Sequence, residues 1–124
     1  MRSFLPSLVV AALSFCAISP SSNAETPDEL LNKTARAAAR VGGIDLFCRS
    51  FYLIDRVKVA ELGDSIVQDG IRRFGKQAFS AKYKRTLLEY NAEVSQVGAA
   101  IWCPKQREHF QRIGVTGLIG GNLE

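Results

Sequence analysis

The chain has 124 residues, of which 47% are hydrophobic and 23% charged, and it holds three cysteines and one histidine. Sixteen Lys/Arg against twelve Asp/Glu give a net charge of +4, which is too mild to indicate nucleic acid as a partner. A histidine-based metal site normally needs several ligands, so one histidine argues against such a site. We expect no metal and no cofactor.

The first 24 residues have the layout of a cleavable secretory signal peptide. Arg2 is their only charge, an apolar stretch follows over residues 5–18, and small residues lead up to Ala24. A membrane span needs roughly 20 apolar residues, so an uncleaved anchor is the weaker alternative. A lipoprotein signal at Cys16 is disfavoured because a bulky residue precedes that cysteine. We expect export to the periplasm and a mature chain that begins near Glu25.

Residues 25–124 then form one domain of 100 residues with two cysteines, Cys48 and Cys103. An even pair in an exported protein predicts one disulfide between them. A reactive redox pair is the alternative, but the two cysteines are far apart and form no C-x-x-C motif. Without Arg2 the domain carries fifteen Lys/Arg and twelve Asp/Glu, a net charge of +3.

Helical signals dominate this domain from its first residues. Thr26 and Glu29 have the spacing of a capping box, which predicts the start of a first helix. The pair Gly42-Gly43 predicts its end. Apolar residues at 3.6-residue spacing then predict a second helix over residues 44–62.

The second half of the domain continues the pattern. Gly63-Asp64 predicts a break, with a short helix capped by Asp64 after it. The third long helix is marked by apolar residues spaced by three and four over about six turns. They are Phe79, Tyr83, Leu87, Tyr90, Val94, Val97 and Ile101.

That helix should end near Cys103, because a proline disfavours helix at the residue before it. Pro104 can open a last short helix through Phe110 and Ile113. Four glycines mark residues 114–124 as a loose tail, and no segment alternates like a strand. The sequence predicts an all-α fold, a small bundle of four to five helices with one long-range disulfide and with Trp102 and Phe110 packed near it.

Residues that could carry catalysis are scarce. The chain has no phosphate-binding glycine loop, nucleophile elbow or zinc-protease helix. His109 lies between Glu108 and Phe110 on a charged segment, where a histidine is expected to be a solvated surface residue. We expect that the protein is not an enzyme.

One basic run stands out within a stretch of fourteen residues that contains no acid. Its members are Arg72, Arg73, Lys76, Lys82, Lys84 and Arg85. One hypothesis is a surface for an anionic partner such as lipid headgroups or envelope polymers. The alternative is a solvated helix face whose interleaved aromatic residues, such as Phe79 and Tyr83, point inward.

Both cysteine segments resemble a known family. The sequence FCRSF at residues 47–51 followed by Asp55, and WCPKQ at residues 102–106 followed by Phe110, resemble the cysteine segments of HdeA-type periplasmic acid-stress chaperones. The likeness implies a small exported helical protein without enzymatic activity. Residues 43–46 are also similar to small exported immunity proteins that neutralise envelope-acting toxins.

Three hypotheses about function follow, all of them non-enzymatic. The first is a stress-protective chaperone that exposes apolar faces to client proteins. The second is an inhibitor or immunity protein with one dedicated target, and the third is an envelope-binding module that uses the basic run. A homodimer through the aromatic stripe stays open. The candidate client-binding residues are Phe47, Phe51, Ile54, Tyr83, Leu87 and Tyr90.

Overall fold

The computed structural model describes residues 24–123, so the predicted signal peptide lies almost wholly outside the described residues. Four helices and two short strands follow one another. They are α1 (Pro27–Gly43), a π-helical turn (Ile44–Cys48), β1 (Tyr52–Ile54), α2 (Arg56–Phe74), α3 (Lys76–Val97), α4 (Ala99–Arg112) and β2 (Ile119–Asn122). The predicted all-α bundle is confirmed, with a two-stranded antiparallel sheet added to it. In this part of the chain no helix combines the length and apolar character that crossing a membrane requires.

The start of α1 is the capping box that the sequence predicts. The Glu29 N–H donates to Thr26 Oγ1 over 3.1 Å, and the Thr26 N–H donates to Glu29 Oε1 over 2.8 Å. At the other end, α1 stops at Gly43 but the chain turns on into the π-helical turn without a break. A Cβ at Gly43 would lie 2.9 Å from the Trp102 ring. This glycine therefore serves close packing rather than helix termination.

The predicted helix over residues 44–62 is wrong. The chain leaves the π-helical turn at Cys48, passes through β1, and starts α2 with Asp55 as cap, whose carboxylate accepts from the Lys58 N–H over 3.0 Å. Several apolar side chains of the predicted helical face are more than half exposed as a result. They are Leu46, Phe51, Leu53 and Val57.

No break follows at Gly63-Asp64, because α2 continues through both residues to Phe74. Gly63 instead lets α2 approach α1, since a Cβ there would lie 3.4 Å from Val41 Cγ1.

The third and fourth helices also differ from prediction. Gly98 has φ of +86°, a conformation that favours glycine, and it separates α3 from α4. Pro104 therefore lies inside α4 instead of opening a helix.

The carboxyl-terminal segment is not the loose tail that its glycines predict. β2 pairs with β1 in antiparallel register, with Tyr52 opposite Asn122 and Ile54 opposite Ile119. Leu118 and Ile119 are buried, and the Arg107 guanidinium donates to the carbonyl oxygens of Ile119 and Gly120. Strand pairing and these hydrogen bonds fix a segment that glycine content alone would leave free.

Two hydrophobic cores hold the bundle together. The first surrounds the Cys48–Cys103 disulfide, which is confirmed, with a Cα–Cα distance of 5.9 Å. Trp102 and Phe110 are buried in this first core, as predicted. The second core contains no disulfide and is built on Ala35, Ala38 and Phe79. It takes further apolar side chains from α1, α2 and α3: Leu31, Ile66, Val67, Ile71, Phe74 and Tyr83. Ile66 and Tyr83 also pack against the first core.

Two glycines of α2 should respond in opposite ways to alanine. Gly70→Ala would place a Cβ in the buried Phe79 ring, so we expect the free energy of unfolding to fall by about 1–3 kcal/mol. In Gly63→Ala the new Cβ meets Val41 at ordinary contact distance. The higher helix propensity of alanine should therefore raise the free energy of unfolding by about 0.5–1 kcal/mol. Urea unfolding of both variants measures the difference. Equal effects would show that the second core is not tightly packed around Phe79.

Candidate functional site

The basic run does not form one binding face. Arg72 and Arg73 both bind Asp69, with nitrogen–oxygen distances of 2.7 and 3.0 Å. Lys82 and Arg85 are three residues apart on α3 and share one side of it, whereas Lys84 is turned by about 200° from Lys82 and points to the other side. Phe79, which lies between the cations of the run in the sequence, is buried, and Tyr83 is partly buried. The solvated-face alternative predicts both. A role for the run in binding stays a prediction.

The candidate client-binding residues are divided among different environments. Tyr90 belongs to the first core and is only 8% exposed, whereas Phe51 is more than half exposed near the carboxyl-terminal strand. Ile54 and Tyr83 are partly buried against the first core. Phe47 and Leu87 also pack against the first core, and of the six residues these two line one exposed groove.

Phe47 and Leu87 meet in an apolar groove between the π-helical turn and α3. Its volume is 370 Å³, and Leu46 and Leu88 complete its apolar lining, with Lys84 and Asn91 also at its edge. Leu46 is 57% and Leu88 is 69% exposed, which is high for side chains of this size. The groove is a small apolar surface that a side chain of another protein could enter.

A second concave site, the cationic pocket, lies where α1, α3 and α4 converge. It has a volume of 440 Å³. Its basic side chains come from two helices: Arg36 and Arg40 from α1, and Lys105, His109 and Arg112 from α4. Two carboxylates also line it. Glu93 accepts from Trp102 Nε1 over 2.8 Å, and Glu108 pairs with Arg112 at 3.5 Å.

Arg40, which lines the cationic pocket, is held by contacts with two other side chains. Its Nη1 donates to Gln106 Oε1 over 2.8 Å, and Gln106 is buried and donates in turn to the Trp102 carbonyl. The Arg40 guanidinium carbon also lies 5.5 Å from the centre of the Tyr90 ring. Because a guanidinium has five N–H donors, Arg40 can bind a ligand while it keeps this contact.

Tyr90 and His109 both line the pocket, and burial shifts the pKa of each. Burial raises the pKa of the Tyr90 hydroxyl, and the charges of Arg40 and Arg36 act against that rise. Burial, followed by Arg40 and Arg112, lowers the pKa of His109. His109 is partly buried, and its lowered pKa favours the neutral imidazole near pH 7.

The cationic pocket was missed because its cations are far apart in the sequence. Arg36 and Arg40 are four residues apart on α1, and Lys105, His109 and Arg112 are spaced by four and three on α4. Each set therefore lies on one face of its helix. That spacing was a usable signal, although only the fold shows that the two faces meet.

Two carboxylates near the second core are stabilised in their charged form. The Thr26 N–H and hydroxyl lower the pKa of Glu29, and Arg73, followed by Arg72, lowers the pKa of Asp69. Both acids lie at the protein surface, where solvent screens their interactions. They belong to the start of α1 and the end of α2, the segments that form the second core.

No protein-family model, curated protein or solved structure matches this chain. The resemblance to HdeA-type chaperones stays a prediction. Among residues 24–123, no three side chains of histidine, cysteine, aspartate or glutamate group together as metal ligands would.

Proposed function

We propose that this chain is a non-enzymatic protein-binding protein of the periplasm, and that it protects client proteins under acid stress. One observation carries the proposal. The two cores are held in different ways, the first by a disulfide and the second by non-covalent contacts alone. A domain built like this can loosen in one part while the other part keeps the chain compact.

The two carboxylates whose pKa is lowered by folding lie at the surface of the helix segments that form the core without a disulfide. Glu29 closes the capping box at the start of α1, and Asp69 binds Arg72 and Arg73 near the end of α2. A carboxylate whose pKa is lowered by folding stabilises the fold above its unfolded pKa of about 4. That contribution is lost as the pH falls through the lower pKa of the folded state.

Loss of carboxylate charge also makes the net charge of the whole domain more positive. Residues 25–124 carry fifteen Lys/Arg, which stay charged when the twelve Asp/Glu are protonated. The resulting repulsion favours expansion. Opening of the second core would uncover Phe74 and Phe79 for clients, while Arg72, Arg73 and Lys76 beside them would keep the complex soluble.

An acid titration tests the proposal. Between neutral pH and pH values below about 4 we expect reversible binding of a hydrophobic dye with partial loss of circular dichroism. Asp69→Asn removes the ion pairs of α2, so the variant should loosen at a higher pH than wild type. Asp64→Asn, an exposed acid on the same helix, is the matched control and should leave the transition in place. A wild-type protein that stays unchanged down to pH 2 would contradict the chaperone.

The apolar groove favours a second candidate, an inhibitor or immunity protein with one target. Leu46 and Phe47 belong to a turn that the Cys48 disulfide ties to α4, so this side of the groove is held in place before any partner arrives. A preformed groove suits a rigid interface. Such a protein would keep its structure at low pH, so the same titration separates the two candidates.

A further inference from the structure

The cationic pocket is independent of both the apolar groove and the second core, and it points to a ligand of its own. Four permanently charged side chains line it: Arg36, Arg40, Lys105 and Arg112. The two carboxylates, Glu93 and Glu108, leave a net charge of +2 with His109 neutral. Its volume of 440 Å³ lies in the range of small-molecule sites.

A buried polar group in the wall of the pocket has no partner. Tyr90 lines the pocket and is 8% exposed, and its hydroxyl makes no hydrogen bond within residues 24–123. Leaving such a group unpaired costs about 1–3 kcal/mol. The hydroxyl oxygen has almost no accessible surface in this structure, so a bound anion reaches this donor only after a small movement of the side chains around it.

We propose that the cationic pocket binds the phosphate group of a small phosphate monoester or of a phospholipid headgroup. Arg40, fixed by Gln106, and the exposed Arg36 one turn away present guanidinium groups from α1. Lys105 and Arg112 approach from α4, and the Tyr90 hydroxyl donates to a phosphate oxygen. The dianion of a phosphate monoester balances the net charge of +2, whereas the phosphodiester of a phospholipid headgroup carries a single negative charge. The oxygens of either group match the planar donor arrangement of arginine.

Calorimetry on the purified protein, in a buffer without phosphate and at constant ionic strength, tests the proposal with two probes. Glycerol 3-phosphate represents the soluble monoester. Phosphatidylcholine vesicles with and without phosphatidylglycerol represent the headgroup. Saturable binding of either probe supports the site, and the probe that binds identifies the source of the phosphate.

Three variants distinguish specific binding in the cationic pocket from non-specific attraction between the anionic probe and a basic protein. Arg36→Gln should weaken binding at least about tenfold, because hydrogen bonds to charged groups contribute at least that factor. Arg85→Gln removes the same charge from an exposed site on α3 and should change the affinity less than about twofold. Tyr90→Phe should weaken binding about tenfold while its melting temperature stays the same or rises, since the hydroxyl has no partner to lose.

Three results would overturn the proposal. The first is that neither probe binds. The second is that Arg36→Gln and Arg85→Gln weaken binding equally, which is the pattern of non-specific attraction. The third is that Tyr90→Phe binds like wild type, because the hydroxyl would then have no place in the site.

Discussion

Replacing both Cys48 and Cys103 with alanine should lower the free energy of unfolding by about 2–5 kcal/mol. The two residues are 55 positions apart, and for a loop of that size the chain-entropy model gives about 4 kcal/mol. Both cysteines are fully buried, so alanine is preferred to serine, which would bury an unpaired hydroxyl. Urea unfolding of the variant and of wild type gives the difference.

The loss of stability should appear first in the segments that the disulfide joins. It ties the π-helical turn to α4, so hydrogen exchange in the double variant should quicken around Ile44 and Trp102 before it does around Phe79. Chemically reduced wild-type protein is the control and should behave like the variant. A change smaller than about 0.5 kcal/mol would show that the first core is stable without its covalent link.

The parts of the fold that the sequence predicts correctly depend on local signals or on counting. The capping box is complete within four residues, and the two cysteines of residues 25–124 leave one pairing. The apolar run over residues 44–62 was misread because its spacing also suits a turn, a strand and a new helix. What decides between these is the partner strand at Ile119–Asn122, which no local pattern contains.

The candidate site, like the fold, could not be predicted where it depends on contacts between distant parts of the chain. The basic run was selected because its cations are neighbours in sequence, yet Asp69 lies just before it and binds two of them. The cationic pocket combines residues more than sixty positions apart, and its inner wall includes Tyr90, which the apolar stripe assigned to a client face. Periodicity shows which residues share a helix face. It does not show which faces meet.

Phe79→Ala should have an equally large effect, a fall of about 3–5 kcal/mol in the free energy of unfolding. Phe79 is 2% exposed and is the largest buried side chain of the second core. Its ring lies against Gly70, Ala35 and Ala38 and stacks on Tyr83 at a centroid distance of 6.2 Å. Backbone at Gly70 and alanines on α1 have little freedom to close the space that the ring leaves.

Leu88→Ala is the matched control for this change. It removes an apolar side chain of similar type from the same helix, but Leu88 is 69% exposed, so we expect a change within about 0.5 kcal/mol. Circular dichroism during urea unfolding measures both variants. Similar losses in the two would mean that Phe79 is not the centre of a packed core.

Phe79→Ala also tests whether the two cores can separate. Trp102 is the only tryptophan of the chain and lies in the first core, so its fluorescence follows that core alone, whereas circular dichroism follows all four helices. If the second core can open by itself, Phe79→Ala should bind a hydrophobic dye near neutral pH while Trp102 fluorescence stays native. Its circular dichroism transition should then precede its fluorescence transition. Coincident transitions without dye binding would mean that both cores unfold together, and a chaperone that opens only its second core would then be ruled out.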